Sequence, residues 1–151
     1  MDAFELLKKD HEKVSGIFEK LETTTERGVK TREELFTQLK QELDIHAQIE
    51  EQIFYPVLEE ADETHEITLE AFEEHAVFKQ LLSELEQLSK DDETWGAKLK
   101  VLKENVEHHV EEEEGEMFTG AREVLSSEQI EALGSRMEAA KKEQKKAMAA
   151  G

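Results

Sequence analysis

Six side chains stand where a helical protein normally keeps apolar residues: His11, His46, Glu50, His75, His109 and Glu113. Each interrupts a stripe of hydrophobic residues spaced alternately three and four apart, the pattern of a helix with one face in a core. His11 lies among Phe4, Leu7, Val14, Phe18 and Leu21; His46 and Glu50 among Leu35, Leu39, Leu43, Phe54 and Val57. His75 lies among Leu69, Phe72, Phe78, Leu82 and Leu85; His109 and Glu113 among Trp95, Leu99, Leu102, Val106 and Met117. Imidazole nitrogens and carboxylate oxygens are cation ligands. Burying them without a cation costs on the order of several kcal/mol per uncompensated group, and the stripes hold no Lys or Arg to offset it.

The donor set narrows the metal. With no cysteine in the chain, thiolate zinc sites, disulfides and Cys-ligated iron–sulfur clusters are excluded. Four imidazoles and two carboxylates exceed what one tetrahedral zinc uses, and carboxylates between neighbouring helices suit a bridge between two metals. Mixed nitrogen and oxygen ligation at high coordination number points to iron or manganese. The ferritin-like Glu-x-x-His is missing, because Lys8, Leu43, Phe72 and Val106 stand three before the four histidines. No HExxH, phosphate-binding GxxxxGK or serine nucleophile elbow occurs. His108 with Glu112 is a competing pair, but its phase runs through Val101 and Asn105, a poorer stripe than Leu102 and Val106.

These residues need helices to position them. Gly (7) and Pro (1) are scarce in 151 residues, which favours an all-α fold, and a chain of this length suits one domain with one core. Periodicity predicts helices over about 2–22, from Thr31 to near residue 61, over 65–89, and on to near Gly120, with Thr31 and Glu34 read as a capping box. Short connections make neighbours antiparallel. The midpoint between His11 and His46 then falls beside Gly28, that between His46 and His75 at Glu60–Ala61, and that between His75 and His109 on Asp92. Each is at an expected turn, so the four histidines belong to one layer, with Glu50 and Glu113 one turn away. The halves also repeat: His11 to His46 spans 35 residues and His75 to His109 spans 34, each ending in His-x3-Glu. The expectation is an up-down-up-down antiparallel four-helix bundle over 1–125. A C-terminal helical extension over 126–151, with only Ile130, Leu133 and Met137 as large apolar anchors, is expected to dock weakly and fray.

Thirty-eight acidic against 19 basic residues leave a net charge of −19, which repels phosphate backbones and anionic lipid surfaces. Neither nucleic acid nor a membrane is expected as a partner. No apolar run reaches the roughly 20 residues that span a bilayer, and MDAFELLKKDHE lacks the core of a secretory signal, so a cytoplasmic protein is expected.

The segments DHEKV, LDIHAQIEEQIFYP, FEEHAVF and VEHHVEEEEGEMF resemble the haemerythrin-like, or HHE cation-binding, family over about residues 4–120. The resemblance implies a carboxylate-bridged di-iron centre handling dioxygen or related small oxidants, with His11, His46, Glu50, His75, His109 and Glu113 as ligands. Manganese is the less favoured substitute. One departure bears on function: the oxygen carriers of the family resemble one another in a second histidine one turn along the third helix, whereas Ala71 and Lys79 flank His75 here. Water, Glu74, His65 or His108 could take that place, and His65 reads as a surface or cap residue. The oxygen carriers also place a carboxylate five after the last histidine, where Glu114 stands; symmetry with Glu50 favours Glu113. Tyr55 reads as packing, with proton donation as the second role open to it. The leading expectation is a di-iron protein that binds, senses or reduces dioxygen, peroxide or nitric oxide, as an oxidoreductase if it turns over. An iron store or iron-responsive binding module with an unidentified protein partner is the second, and a metal-free acidic partner surface the third.

Overall fold

The computed structural model describes residues 1–150, the side chain of residue 150 excepted. Gly151 lies outside the described residues. Helix α1 spans Ala3–Glu22 and starts at Asp2, whose carboxylate accepts the Glu5 N–H at 2.9 Å. Helix α2 runs Val29–Ile49, passes through a π-helical turn at Glu50–Phe54, and continues as α3, Tyr55–Glu60. After a break at Ala61, α4 runs Asp62–Gln87. Helix α5, Glu93–Glu112, is capped by Asp92, passes through a second π turn at Glu113–Met117, and continues as α6, Phe118–Val124. Helix α7 spans Ser127–Ala150. Contacts between α1 and α2, α3 and α4, and α4 and α5 make the up-down-up-down bundle, with α7 laid against α1 and α2. No helix among the described residues is long and apolar enough to cross a membrane.

The core is split. One apolar cluster holds Val14, Phe18, Phe36, Leu39, Phe78, Leu82, Trp95 and Leu102. The other holds Phe4, Leu7, Phe54, Tyr55, Leu58, Met117 and Phe118 together with Ile130, Leu133 and Met137 of α7. The six polar residues of the interrupted stripes form the layer between them.

Three local expectations need correction. Helix α2 starts two residues before Thr31, at Val29 after Gly28, without a side-chain cap. Arg32 is buried there: its guanidinium donates to Thr24 Oγ1 at 2.9 Å and the Lys90 carbonyl at 2.7 Å, so tertiary bonds set the helix start. Along α4, Leu69 points to solvent, and Thr64, Thr68 and Ala71 turn inward instead. Small residues are required because α6 passes close: a Cβ at Gly120 would lie 2.9 Å from Thr64 Cγ2. Finally, α7 is seated more firmly than its few apolar residues imply. Met137 is fully buried, Leu6 and Ile45 supply apolar surface from outside the bundle stripes, and Gly134 crosses so near the backbone of Met1 to Ala3 that a Cβ would collide with it.

Candidate metal centre

All six interrupting residues are buried and converge between α1, α2, α4 and α5. Their donor atoms form two triads, His11–His46–Glu113 and Glu50–His75–His109, each with one donor per residue within 4.8 Å of the others. The imidazole rings pair likewise, with His11 5.0 Å from His46 and His75 5.0 Å from His109 between centroids. The carboxylates lie between the pairs. Glu50 Oε1 is 3.0 Å from His46 Nε2 and 3.1 Å from His75 Nε2. Glu113 places Oε1 3.0 Å from His11 Nε2 and Oε2 3.2 Å from His109 Nε2.

A second set of acids sets the ring orientations, and sequence spacing did not reveal it. The Nδ1–H of His11 donates to Glu114 at 2.6 Å, of His46 to Asp10 at 2.9 Å, of His75 to Glu51 at 2.8 Å, and of His109 to Glu74 at 2.5 Å. Every one of these acids is the chain neighbour of a converging residue on a different helix. Asp10 beside His11 reaches His46, Glu51 beside Glu50 reaches His75, Glu74 beside His75 reaches His109, and Glu114 beside Glu113 reaches His11. The bonds close a ring around the bundle, each helix orienting a histidine of the next. A carboxylate on Nδ1 fixes the tautomer and turns the Nε2 lone pair inward, the usual support for a metal-binding imidazole. The available signal was an acid adjacent to each stripe position, in DH, EE, EH and EE, but acids are too frequent here for adjacency alone to stand out.

The two π turns explain how Tyr55, read from the sequence as packing first and a proton donor second, reaches the cluster. Each begins at the inward glutamate, with the N–H of Tyr55 bonding the Glu50 carbonyl and that of Phe118 the Glu113 carbonyl. An i→i+5 turn winds less per residue, so Tyr55 comes round to the face that carries Glu50; such turns recur at functional sites. Its hydroxyl donates to Glu113 Oε2 at 2.6 Å and lies 3.3 Å from His75 Nε2 and 3.2 Å from His109 Nε2. Tyr55 therefore both packs in the core and reaches the cluster. Glu74, His65 and His108 do not stand in for a second histidine of α4: Glu74 holds His109, His65 is exposed and bonds the Glu59 carbonyl, and His108 is exposed beside Glu112. Glu114 turns outward to His11 while Glu113 turns inward.

Without a cation the cluster holds protons. Burial, the largest influence, disfavours the imidazolium of His109, yet hydrogen bonds and charge from Glu113, Glu74 and Glu50 outweigh it and push its pKa up to about 10. His46 and His75 are raised by their carboxylate neighbours against the same opposition. Burial would raise Glu113, but its hydrogen bonds, with Glu50, His109 and His11, hold it well below the usual carboxylate range. A raised histidine stabilises the fold fully below its unfolded pKa of 6.5, and that contribution is lost as pH rises through about 10. A depressed glutamate stabilises above 4.5 and loses its contribution as pH falls through the lower folded value. Metal binding has the opposite trend, because it must displace protons. The gap in melting temperature between metal-loaded and metal-free protein should therefore widen from about pH 6 to about pH 9; thermal unfolding at both pH values checks this, and a gap that narrows contradicts it.

Known proteins resemble the chain over most of its length. Residues 2–121 match the family model described as Hemerythrin HHE cation binding domain. A crystal structure of a hemerythrin HHE cation-binding domain-containing protein from Mycobacterium kansasii superposes with a TM-score of 0.86 at 28% identity, covering 97% of this chain and 89% of that one. An uncharacterised protein of Mycobacterium tuberculosis is 29% identical over 147 residues, 92% of this chain and 84% of the relative. A protein of Nostoc sp. described as a DNA nickase is 30% identical over 145 residues, 93% of this chain; the match spans only 39% of the nickase's length. The chain belongs to the haemerythrin HHE cation-binding domain family.

Proposed function

We propose that the chain is a non-haem di-iron protein that binds, senses or reduces dioxygen, peroxide or nitric oxide. The observation that carries this reading is a set of buried atoms facing one another without hydrogen-bond partners: Nε2 of His11 and of His46, both oxygens of Glu50, and Oε1 of Glu113. Protein interiors rarely leave such groups unpaired. With each Nδ1–H committed to an outer acid, the Nε2 atoms and the inner carboxylates face a common centre, where a cation can replace the protons they share and satisfy several of them at once. Two triads with their carboxylates in between favour two cations over one. Nitrogen and oxygen donors without sulfur suit iron, with manganese the lesser fit.

A cavity of about 20 Å³ lies among the four histidines, walled by Val14, Leu43, Phe78 and Val106. That is room for about one water-sized molecule, which favours a diatomic or peroxide over an organic substrate. Iron held there would supply redox and Lewis-acid chemistry toward such a molecule. The protein's own groups do the rest. Histidines His11, His46, His75 and His109 with Glu50 and Glu113 would hold the ions, and the apolar wall keeps bulk water out. Burial and the charges of Glu113 and Glu50 push the Tyr55 hydroxyl well above its usual range, so it keeps a proton at hydrogen-bond distance from Glu113 Oε2.

Mixing anaerobic ferrous protein with dioxygen, peroxide or nitric oxide in a stopped-flow spectrometer tests the proposal. A spectral change with at least one is expected, and its reversal on removing the gas separates binding from turnover; silence with all three refutes it. A second reading, an iron-responsive binding module or store, is favoured by the contact between Lys141 of α7 and Asp10, the acid that orients His46. Nucleic acid and membranes are not proposed as partners, given the charge of −19, and a cytoplasmic location belongs to the same proposal.

A further inference from the structure

Three of the four outer acids stand at the rim of the bundle, where Glu51, Glu74 and Glu114 keep 23%, 26% and 34% of their side chains exposed. Asp10 keeps 3%. Its Oδ2 accepts from His46, and its Oδ1 meets the ammonium of Lys141. Lys141 belongs to α7, the helix outside the four-helix bundle. A carboxylate this deep needs both oxygens satisfied, because removing one partner of a buried pair leaves an uncompensated charge. Two features deliver Lys141 to that point: Met137, buried on the same helical face one turn earlier, and Gly134, which lets α7 cross against the start of α1.

We propose that Lys141 is a positioning residue for the metal centre. Acting through Asp10 it fixes the His46 ring, so docking of the terminal helix and cation binding by the His11–His46–Glu113 triad are linked. This rests on the metal-binding reading of the six converging residues. Linkage is reciprocal: a cation that needs the His46 ring held in place also holds α7 down.

The other triad supplies an internal control. Glu51, which orients His75, also takes a lysine, Lys79, at 2.9 and 3.0 Å. That lysine is 52% exposed and lies on α4 itself. Exposed pairs contribute little, so its removal should leave the centre nearly unchanged.

Cobalt(II) is a suitable probe, because its visible absorption reports ligand geometry without turnover. Metal-free wild type, K141M, K141R and K79M are titrated with Co²⁺, and exchange of the α7 amides is followed in the free and loaded wild type and K141M. K141M should weaken one of the two equivalents about tenfold, with the other changed less than about twofold; K141R should restore it, and K79M should change neither by more than about twofold. Loading should slow exchange along α7 in wild type but not in K141M. Two equally tight equivalents in wild type and K141M would overturn this inference alone. Equal weakening of both equivalents, failure of K141R to restore binding, or α7 exchange indifferent to cobalt would do so too. No cobalt bound by wild type would overturn the metal reading, and this inference with it.

Discussion

Replacing Glu113 with alanine should lower metal affinity by about 100-fold or more and reduce uptake from about two equivalents to about one. Glu113 has no exposed side-chain surface, and its two oxygens face His11 on one side and His109 on the other, so it connects the two triads. Its loss deprives His11 and His46 of the carboxylate in their triad and leaves the Tyr55 hydroxyl without its acceptor. Glu50 stays with His75 and His109, which is why partial uptake should remain. The chain neighbour Glu114 is the control. It is a third exposed and touches the cluster only through His11 Nδ1, so Glu114→Ala should cost only about tenfold and keep the stoichiometry. Metal analysis and competition with a chelator measure both variants; a larger loss in Glu114→Ala would reverse the assignment of inward and outward acids.

The largest effect on stability is expected at the far end of the bundle. Trp95 is fully buried, packs against Phe36 with centroids 6.1 Å apart, and donates its indole N–H to the Leu85 carbonyl at 3.1 Å. The guanidinium of Arg32 sits 4.8 Å above the ring while bonding the α1–α2 turn through Thr24 and the α4–α5 turn through Lys90. Trp95→Ala removes the side chain that these elements share, leaving a large cavity and an exposed face on Arg32. About 3–5 kcal/mol should be lost, or about 10 °C in melting temperature for a chain of this size. Iron uptake at a temperature where the variant is folded should stay at the wild-type stoichiometry, because Trp95 lies outside the polar layer. A folded Trp95→Ala protein unable to take up metal would show that centre and distal core are not separable.

The contrast between the two variants bears on what the sequence could disclose. Polar residues in an apolar stripe are visible in the sequence, since burial of His11, His46, His75 and His109 follows from helical phase. Their common layer follows from the turns near Gly28, Ala61 and Asp92, and the better stripe through Leu102 and Val106 sets His109 inward and His108 outward. What phase cannot carry is a change of phase. The π turns after Glu50 and Glu113 shift the register, so Tyr55 looks lateral when counted with α-helical spacing and is in fact central. Nor can spacing reveal bonds between helices. Glu114, Asp10, Glu51 and Glu74 act on histidines of neighbouring helices, in a chain where acids occupy a quarter of all positions. The seat of α7 was hidden for a similar reason: much of the apolar surface that holds it, including Leu6 and Ile45, lies on α1 and α2.

The most direct test of two cations held by six side chains is an anaerobic titration of metal-free protein with ferrous iron, followed by metal analysis of the desalted product. Saturation at about two equivalents per chain, falling to about one in Glu113→Ala, is the expected result. Saturation of the wild type at one equivalent, or iron retained equally by both proteins, would contradict it.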